Sequence, residues 1–206
     1  MALKVTVYGG TNNQKYNKKE IECAQRFGSF LASIGAEILT GACYGFPYYI
    51  GKASVAQGGK VVGYSPAVNE KEHTEKYKFP LDGVSHMEYI DPREVTGLFM
   101  ANELLDETKN KSKSFIRRSY EMTPFSDIVV AFGGSWGTYT ELLFSFWSKK
   151  TIILISEFGG AAEAFLNTWN FFDVRDNNPV VHQGATIVCV ANVDEAIDAI
   201  EKLRLV

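Results

Sequence analysis

Short apolar runs that end in glycine or polar turn residues alternate along this chain with stretches whose apolar residues step by three and four. Residues 4–8 predict a strand that runs into Gly9, Gly10, Thr11 and Asn12. Ile21, Ala24, Phe27, Leu31 and Ile34 then share one face, as in an amphipathic helix. Residues 37–40 predict a second strand leading into a turn that begins at Gly41 and ends at Gly45. A helix over 48–56 and a third strand over 60–64 follow, the latter ending at Ser65 and Pro66. Residues 87–90 form a short strand pattern, and helical patterns cover 94–107 and 113–122. Then come a strand over 127–132, a helix over 138–148, a strand over 151–155 and a helix over 161–171. A strand over 186–190 closes the series, and a last helix opens at Asn192, with Val193, Ala196, Ile197, Ile200 and Leu203 facing inward.

The run Ile128, Val129, Val130, Ala131 lacks the polar–apolar alternation of a half-exposed strand. Such runs fit strands covered on both faces, as in a parallel sheet between helix layers. Together with the strand–helix alternation this predicts an α/β fold, a Rossmann-like three-layer sandwich with a mostly parallel sheet. No linker or repeat divides the chain, so residues 1–206 read as a single Rossmann-like domain. In such sheets ligands bind beyond the carboxyl ends of the strands, where the strand order reverses. The loops holding Gly9, Gly41 and Gly134 are therefore expected on one edge. The charged stretch 69–78, with His73, reads as a solvated loop or helix face.

Composition narrows the partners. A net charge of -3 and a pI near 5.7 give no overall attraction to nucleic acid or anionic membranes, so nucleic acid is disfavoured as a partner. No apolar run approaches the roughly 18 residues of a membrane span. The first residues enter a strand pattern without a signal-peptide layout. Cys23, Cys43 and Cys189 are far apart, and the pattern fits a reducing cytoplasm. His73, His86 and His182 lack metal-ligand spacing and no GxSxG motif occurs, so the sequence suggests neither a metal, a cofactor nor serine-hydrolase chemistry.

The chemistry concentrates at Gly133, Gly134, Ser135, Trp136, Gly137 and Thr138, between a buried strand and a helix. Glycine lets the backbone approach a ligand, and the first helix amides lack internal partners. With the helix dipole and the hydroxyls of Ser135 and Thr138, this is the equipment of a phosphate site. A plain strand-to-helix turn is the alternative, and Thr138-x-x-Glu141 also fits a capping box.

This loop, preceded by Arg118-Ser119-x-x-Met122-x-x-x-Ser126-Asp127 and followed by Glu141, resembles the Lonely Guy (LOG) family. Its members, often mislabelled lysine decarboxylases, belong to a Rossmann-like group that includes DprA and the molybdenum cofactor carriers. The signature Pro-Gly-Gly-x-Gly-Thr-x-x-Glu follows an Arg-Lys pair. Here Gly133 stands for the proline, Ser135 for the second glycine and Ser119 for the lysine. The turn from Gly41 to Gly45 looks like a diverged form of the family's other glycine-rich turn. The resemblance implies nucleotide binding and release of a base from a nucleoside 5′-monophosphate, with Glu141 and Arg118 as the catalytic pair. A carboxylate can stabilise the positive charge that builds on the ribose or activate water. Arginine can hold phosphate or polarise the leaving group.

Gly9, Gly10, Thr11, Asn12 and Asn13 could contact base or phosphate, and Tyr44, Phe46 and Tyr48 could stack on a base; plain turns and packing are the alternatives. The lysines of 109–113 could touch phosphate or cap a solvated helix end. Trp136, Phe144, Phe146 and Trp147 exceed what one helix face buries, which fits either an interior helix or a homodimer. Three functions remain in view: a phosphoribohydrolase, a non-catalytic nucleotide sensor, and a carrier of a phosphorylated cofactor.

Overall fold

A computed structural model describes residues 2–11, 16–90, 111–176 and 184–205. The expectations for Asn12, Asn13, residues 94–107, Lys109 and His182 fall outside them. The strands are β1 (Lys4–Gly9), β2 (Glu37–Thr40), β3 (Lys60–Ser65), β4 (His86–Tyr89), β5 (Ile128–Phe132), β6 (Thr151–Ile155) and β7 (Thr186–Val190). They form one seven-stranded sheet in the order β4-β3-β2-β1-β5-β6-β7, and every pairing is parallel. The chain builds outward from β1 to β4, then returns to the other side of β1 with β5. The switch point therefore lies between β1 and β5, in register from Val5–Ile128 to Gly9–Phe132.

The helices are α1 (Lys18–Ser33), α2 (Phe46–Ala56), α3 (Lys111–Met122), α4 (Trp136–Trp147), α5 (Gly160–Asp176) and α6 (Val193–Leu203). The continuous apolar run of β5 is buried at every position. Its alternate side chains feed two cores. Ile128, Val130 and Phe132 pack with Phe27 and Leu31 of α1 and with Ile200 of α6, whereas Val129 and Ala131 pack with Met122, Leu142 and Phe165. Two helix layers on one parallel sheet are thus the three-layer Rossmann-like sandwich expected from the sequence. Asn17 starts α1 with a capping box, its side chain accepting from the Glu20 amide while Glu20 accepts from the Asn17 amide. Asn192 caps α6 by accepting from the Glu195 amide, while the Glu195 carboxylate accepts from the Ala191 amide.

Two elements differ in a way that matters for the site. Helices α2 and α4 each begin two residues earlier than the periodicity suggested, at Phe46 and Trp136. Each carries a weak helix former just inside its start, Pro47 and Gly137, which is tolerated in a first turn. The stretch 69–78 is also not simply solvated. Within it a short π-helical turn, Glu72–Lys76, buries His73 completely. There His73 Nδ1 meets Ser65 Oγ at 2.8 Å and Nε2 lies 3.2 Å from the Pro80 carbonyl. Burial lowers the pKa of this ring, so it is neutral at pH 7.

Candidate functional site

A cleft of about 530 Å³ opens at the carboxyl ends of β1, β2 and β5. It is bordered by Gly9, Gly10 and Thr11, by Gly41, Cys43, Tyr44 and Pro47, and by Ser135, Trp136, Gly137, Thr138, Thr140 and Glu141. Arg118, Ser119, Phe115 and Ile116 of α3 and Phe79 complete the wall, with Val7 and Tyr8 at its base. The fold thus brings together ten of the sequence-predicted site residues from four separate segments, adding Arg118 to the three loops. Gly45, Gly133 and Gly134 are not in the wall. They shape the loops behind it.

At Gly45 φ is +100°, and a Cβ there would lie 1.8 Å from the Gly10 carbonyl oxygen, so the β2–α2 turn presses directly on the β1 loop. At Gly134 φ is +95°, and a Cβ would meet Thr138 Oγ1 at 2.3 Å. Thr138 in turn donates to the Gly9 carbonyl at 3.3 Å, which ties the start of α4 to the end of β1.

Two helices start at this cleft, and their first amides are used differently. In α2 the Phe46 amide donates to the Gly10 carbonyl, Pro47 has no N–H, and the Tyr48 and Tyr49 amides both donate to the Gly45 carbonyl. In α4 the Tyr139 amide donates to the Ser135 carbonyl, while the amides of Trp136, Gly137 and Thr138 have no acceptor among the described residues. The positive end of the α4 dipole therefore faces the cleft with its donors open.

Glu141 does not cap this helix. The N-cap is Ser135, without a side-chain cap bond, and Thr138 lies inside the first turn. The capping-box expectation fails because the Glu141 side chain points inward to α3. Its Oε1 accepts from Arg118 Nη2 at 2.7 Å and from Ser119 Oγ at 2.7 Å. Arg118 Nη1 donates to the Gly41 carbonyl at 3.0 Å, and Nη2 also reaches Ser119 Oγ at 2.9 Å. Arg118 Nε is buried with no partner among the described residues. Arg118 is 6% exposed and Glu141 7%, so the pair is water-poor. Burial raises the Glu141 pKa above the ordinary carboxylate value, opposed by the Arg118 guanidinium and the Ser119 hydroxyl. Nearby, burial also pushes up the Tyr8 hydroxyl, which bonds Thr123 Oγ1 at 2.9 Å, and the Cys43 thiol.

The guanidinium is committed to Glu141 and the Gly41 carbonyl. In this arrangement Arg118 positions a carboxylate and does not present its fork to a phosphate. Ser119 is a member of this group that sequence reading registered only as a departure from a signature. Of the aromatics, Tyr44 borders the cleft half-exposed, Phe46 is buried against Phe132 and Phe158, and Tyr48 contacts Asp82 on the surface. Trp136 is 84% exposed and Trp147 68%, so α4 is not an interior helix. Among the described residues no cluster of His, Cys, Asp or Glu could hold a metal ion, and no helix is long and apolar enough to cross a membrane.

An all-parallel sheet with a cleft at its switch point defines a Rossmann-like α/β protein whose carboxyl-end edge is formed by glycine loops. Residues 2–95 match the family model described as the SLOG cluster4 family, which bears out the resemblance to the LOG- and DprA-containing group. Solved structures agree in fold. The structural-genomics target TM1055 superposes with a TM-score of 0.69 at 22% identity, over 97% of this chain and 99% of that one. The molybdenum cofactor carrier protein from Chlamydomonas reinhardtii gives 0.62 at 21% identity, over 100% of both chains. DNA processing protein A from Helicobacter pylori, known from its single-stranded DNA binding mode, gives 0.60 at 14% identity over 97% of this chain and 80% of that one. No curated protein matches the chain.

Proposed function

We propose that this protein is a phosphoribohydrolase-like enzyme that binds a nucleoside 5′-monophosphate and hydrolyses its bond to the base. The observation that carries this reading is the buried Glu141 carboxylate, held by Arg118 and Ser119, at the border of the cleft. A carboxylate held on a rigid helix at the border of a cleft, its pKa raised by burial, is suited to acid–base chemistry.

The phosphate goes to the open amides of Trp136, Gly137 and Thr138. Glu141 lies three to five residues further along the same helix than these amides, about 4.5–7.5 Å at 1.5 Å per residue, a spacing that suits a ribose between phosphate and carboxylate. As the bond from C1′ to the base breaks, positive charge grows on the sugar. Ionised Glu141 stabilises it and takes a proton from the attacking water, which supplies the new hydroxyl at C1′. The base leaves with its bonding electron pair and takes up a proton. Only one of the two helix starts has free donors, which supports a ligand with a single anionic end. Phe79, Phe115, Ile116 and Tyr44 give the base an apolar and aromatic wall.

A second reading is favoured by a specific observation: the molybdenum cofactor carrier from Chlamydomonas reinhardtii shares the fold over its whole length. Under it the same cleft holds a phosphorylated cofactor and Glu141 is structural. Single-stranded nucleic acid fits less well. Arg118, the cation among the residues that border the cleft, is neutralised by Glu141, and a backbone-tracking groove needs unpaired cations. The exposed Trp136, Leu143 and Trp147 of α4, with Ile116 and Tyr120 of α3, are read as the surface of a homodimer. Three free cysteines fit a cytoplasmic protein.

The test is a thermal-shift screen with nucleoside mono-, di- and triphosphates, followed by chromatography for free base. Monophosphate binding with base release is expected. Binding without release of any base supports a non-catalytic nucleotide sensor, and no response to any nucleotide sinks both the enzyme and the sensor and leaves the carrier of a phosphorylated cofactor.

A further inference from the structure

Ser119 has one hydroxyl proton and two acceptors for it. Glu141 Oε1 lies 2.7 Å from its Oγ, and the Phe115 carbonyl oxygen lies 3.0 Å away. The same Oγ accepts from Arg118 Nη2 at 2.9 Å. A serine inside a helix commonly donates to the carbonyl four residues back and does nothing else. Here the second acceptor is a carboxylate at the edge of a cleft, and Ser119 is 3% exposed, so water does not readily take the place of its hydroxyl. Arginine stays protonated and cannot exchange a proton with Glu141. A lysine at this position, as in the resembling signature, would only donate. A hydroxyl both donates and accepts.

We propose that Ser119 is a positioning residue whose hydroxyl turns between Glu141 and the Phe115 carbonyl as Glu141 loses and gains its proton. With Glu141 ionised, the hydroxyl donates to Oε1 and the carboxylate holds two donors there. With Glu141 protonated, the hydroxyl swings to the Phe115 carbonyl, and its oxygen accepts from the carboxyl O–H. Neither state leaves a buried donor or acceptor of the pair unsatisfied, so Glu141 can cycle between base and acid without rearrangement of α3 or α4. This deepens the enzyme reading above and rests on it for its use, although the proton coupling itself needs no substrate. The other ionisable groups facing Glu141 are Arg118 from α3, Tyr8 from β1 and Cys43 from the β2–α2 turn. Burial pushes the Tyr8 hydroxyl and the Cys43 thiol upward, so both stay neutral while Glu141 titrates.

The experiment follows the Glu141 carboxyl carbon by NMR in full-length protein labelled with ¹³C-glutamate, its signal identified by its loss in Glu141→Gln. Ser119→Ala removes a donor from the ionised form, and its Glu141 midpoint should rise by about one pH unit, a tenfold gain in proton affinity. Ser119→Thr keeps the hydroxyl and should restore the wild-type midpoint. Ser119→Cys, with a weak donor, should fall between, and it serves if the alanine variant folds poorly. A midpoint unchanged in Ser119→Ala or Ser119→Cys overturns the proposal and leaves Ser119 a helix back-bond. Base release from adenosine 5′-monophosphate, read against pH on the same variants, separates the two claims. An acidic limb displaced by the same amount supports both. A midpoint shift in Ser119→Ala, together with a wild type that releases no base from any nucleotide, overturns the enzyme reading and supports the proton coupling.

Discussion

The two helix starts at the cleft, at Phe46 and Trp136, look alike in sequence: a buried strand, a glycine turn, then a helix with an aromatic first residue. They are opposite in how they use their first amides. The α2 start spends its amides on the Gly10 and Gly45 carbonyls and has a proline where another would be. The α4 start leaves three amides open, and beside the buried Leu142 it carries Thr138, Glu141 and Ser145 inward. Its apolar residues Trp136, Leu143 and Trp147 face outward instead. One start holds the loops in place and the other leaves its donors open to the cleft. Glycine content does not separate them; a full accounting of where the backbone hydrogen bonds go does.

The sharpest way to break this contrast is Glu141→Gln. Glutamine keeps the shape and can still accept from Arg118 and Ser119, but it supplies no charge and takes no proton. Base release is expected to fall by about two to four orders of magnitude while nucleotide affinity, carried by the loop amides, holds. Calorimetry of binding beside chromatography of product checks both. Full activity in this variant would reduce Glu141 to a structural partner of Arg118 and move the chemistry to another group of the cleft.

Next in size is a paired glycine test. A Cβ at Gly41 would lie 2.0 Å from Arg118 Nη1, whereas at Gly137 nothing lies within 4 Å. Gly41→Ala therefore pushes the guanidinium off Glu141 while the end of the flexible arginine gives way. A loss of about 1–3 kcal/mol of stability is expected, since a buried carboxylate loses its partner. Turnover should fall at least about tenfold. Gly137→Ala should keep both, with a small gain in helix propensity. Denaturant titration and turnover of the two variants decide it; equal effects would mean the Gly41 contact does not hold the pair.

Much of the fold was readable because the signals were local. The unbroken apolar run of β5 and the three- and four-step spacing of α1 report burial directly, and both elements stand where they were expected. The site was readable only in part. The pattern Thr138-x-x-Glu141 describes a cap perfectly well, and nothing within it reveals that Glu141 bonds to Arg118, 23 residues away. His73 shows the same limit. In a charged stretch it looked solvated, yet the chain folds it onto Ser65 of β3. Ser119 was visible only as a missing lysine, because the use of a hydroxyl depends on which two acceptors the fold brings to it. Local periodicity encodes layers; partner choice between layers is a tertiary fact.

The smallest effect sharpens the contrast most directly, because it removes a single amide from the open start. Trp136 is the first residue of α4, and Ser135 before it is extended at φ −134° and ψ −154°, a conformation that tolerates a following proline. Proline is also well suited to the first helical position. Trp136→Pro therefore deletes one open N–H and leaves the helix in place, but it deletes the exposed indole as well. Trp136→Ala removes the indole alone. The ratio of the two variants isolates the amide. A hydrogen bond to a charged group contributes about 1.5–3 kcal/mol, so a phosphate held there should bind about tenfold or more weakly in Trp136→Pro than in Trp136→Ala. Inorganic phosphate is the simplest probe, followed by the best nucleotide from the screen, both titrated at constant salt. Melting temperatures without ligand should be close for the two variants, which confirms that α4 survives. If both bind phosphate equally, the anion sits elsewhere in the cleft and the open amides of α4 are not its site.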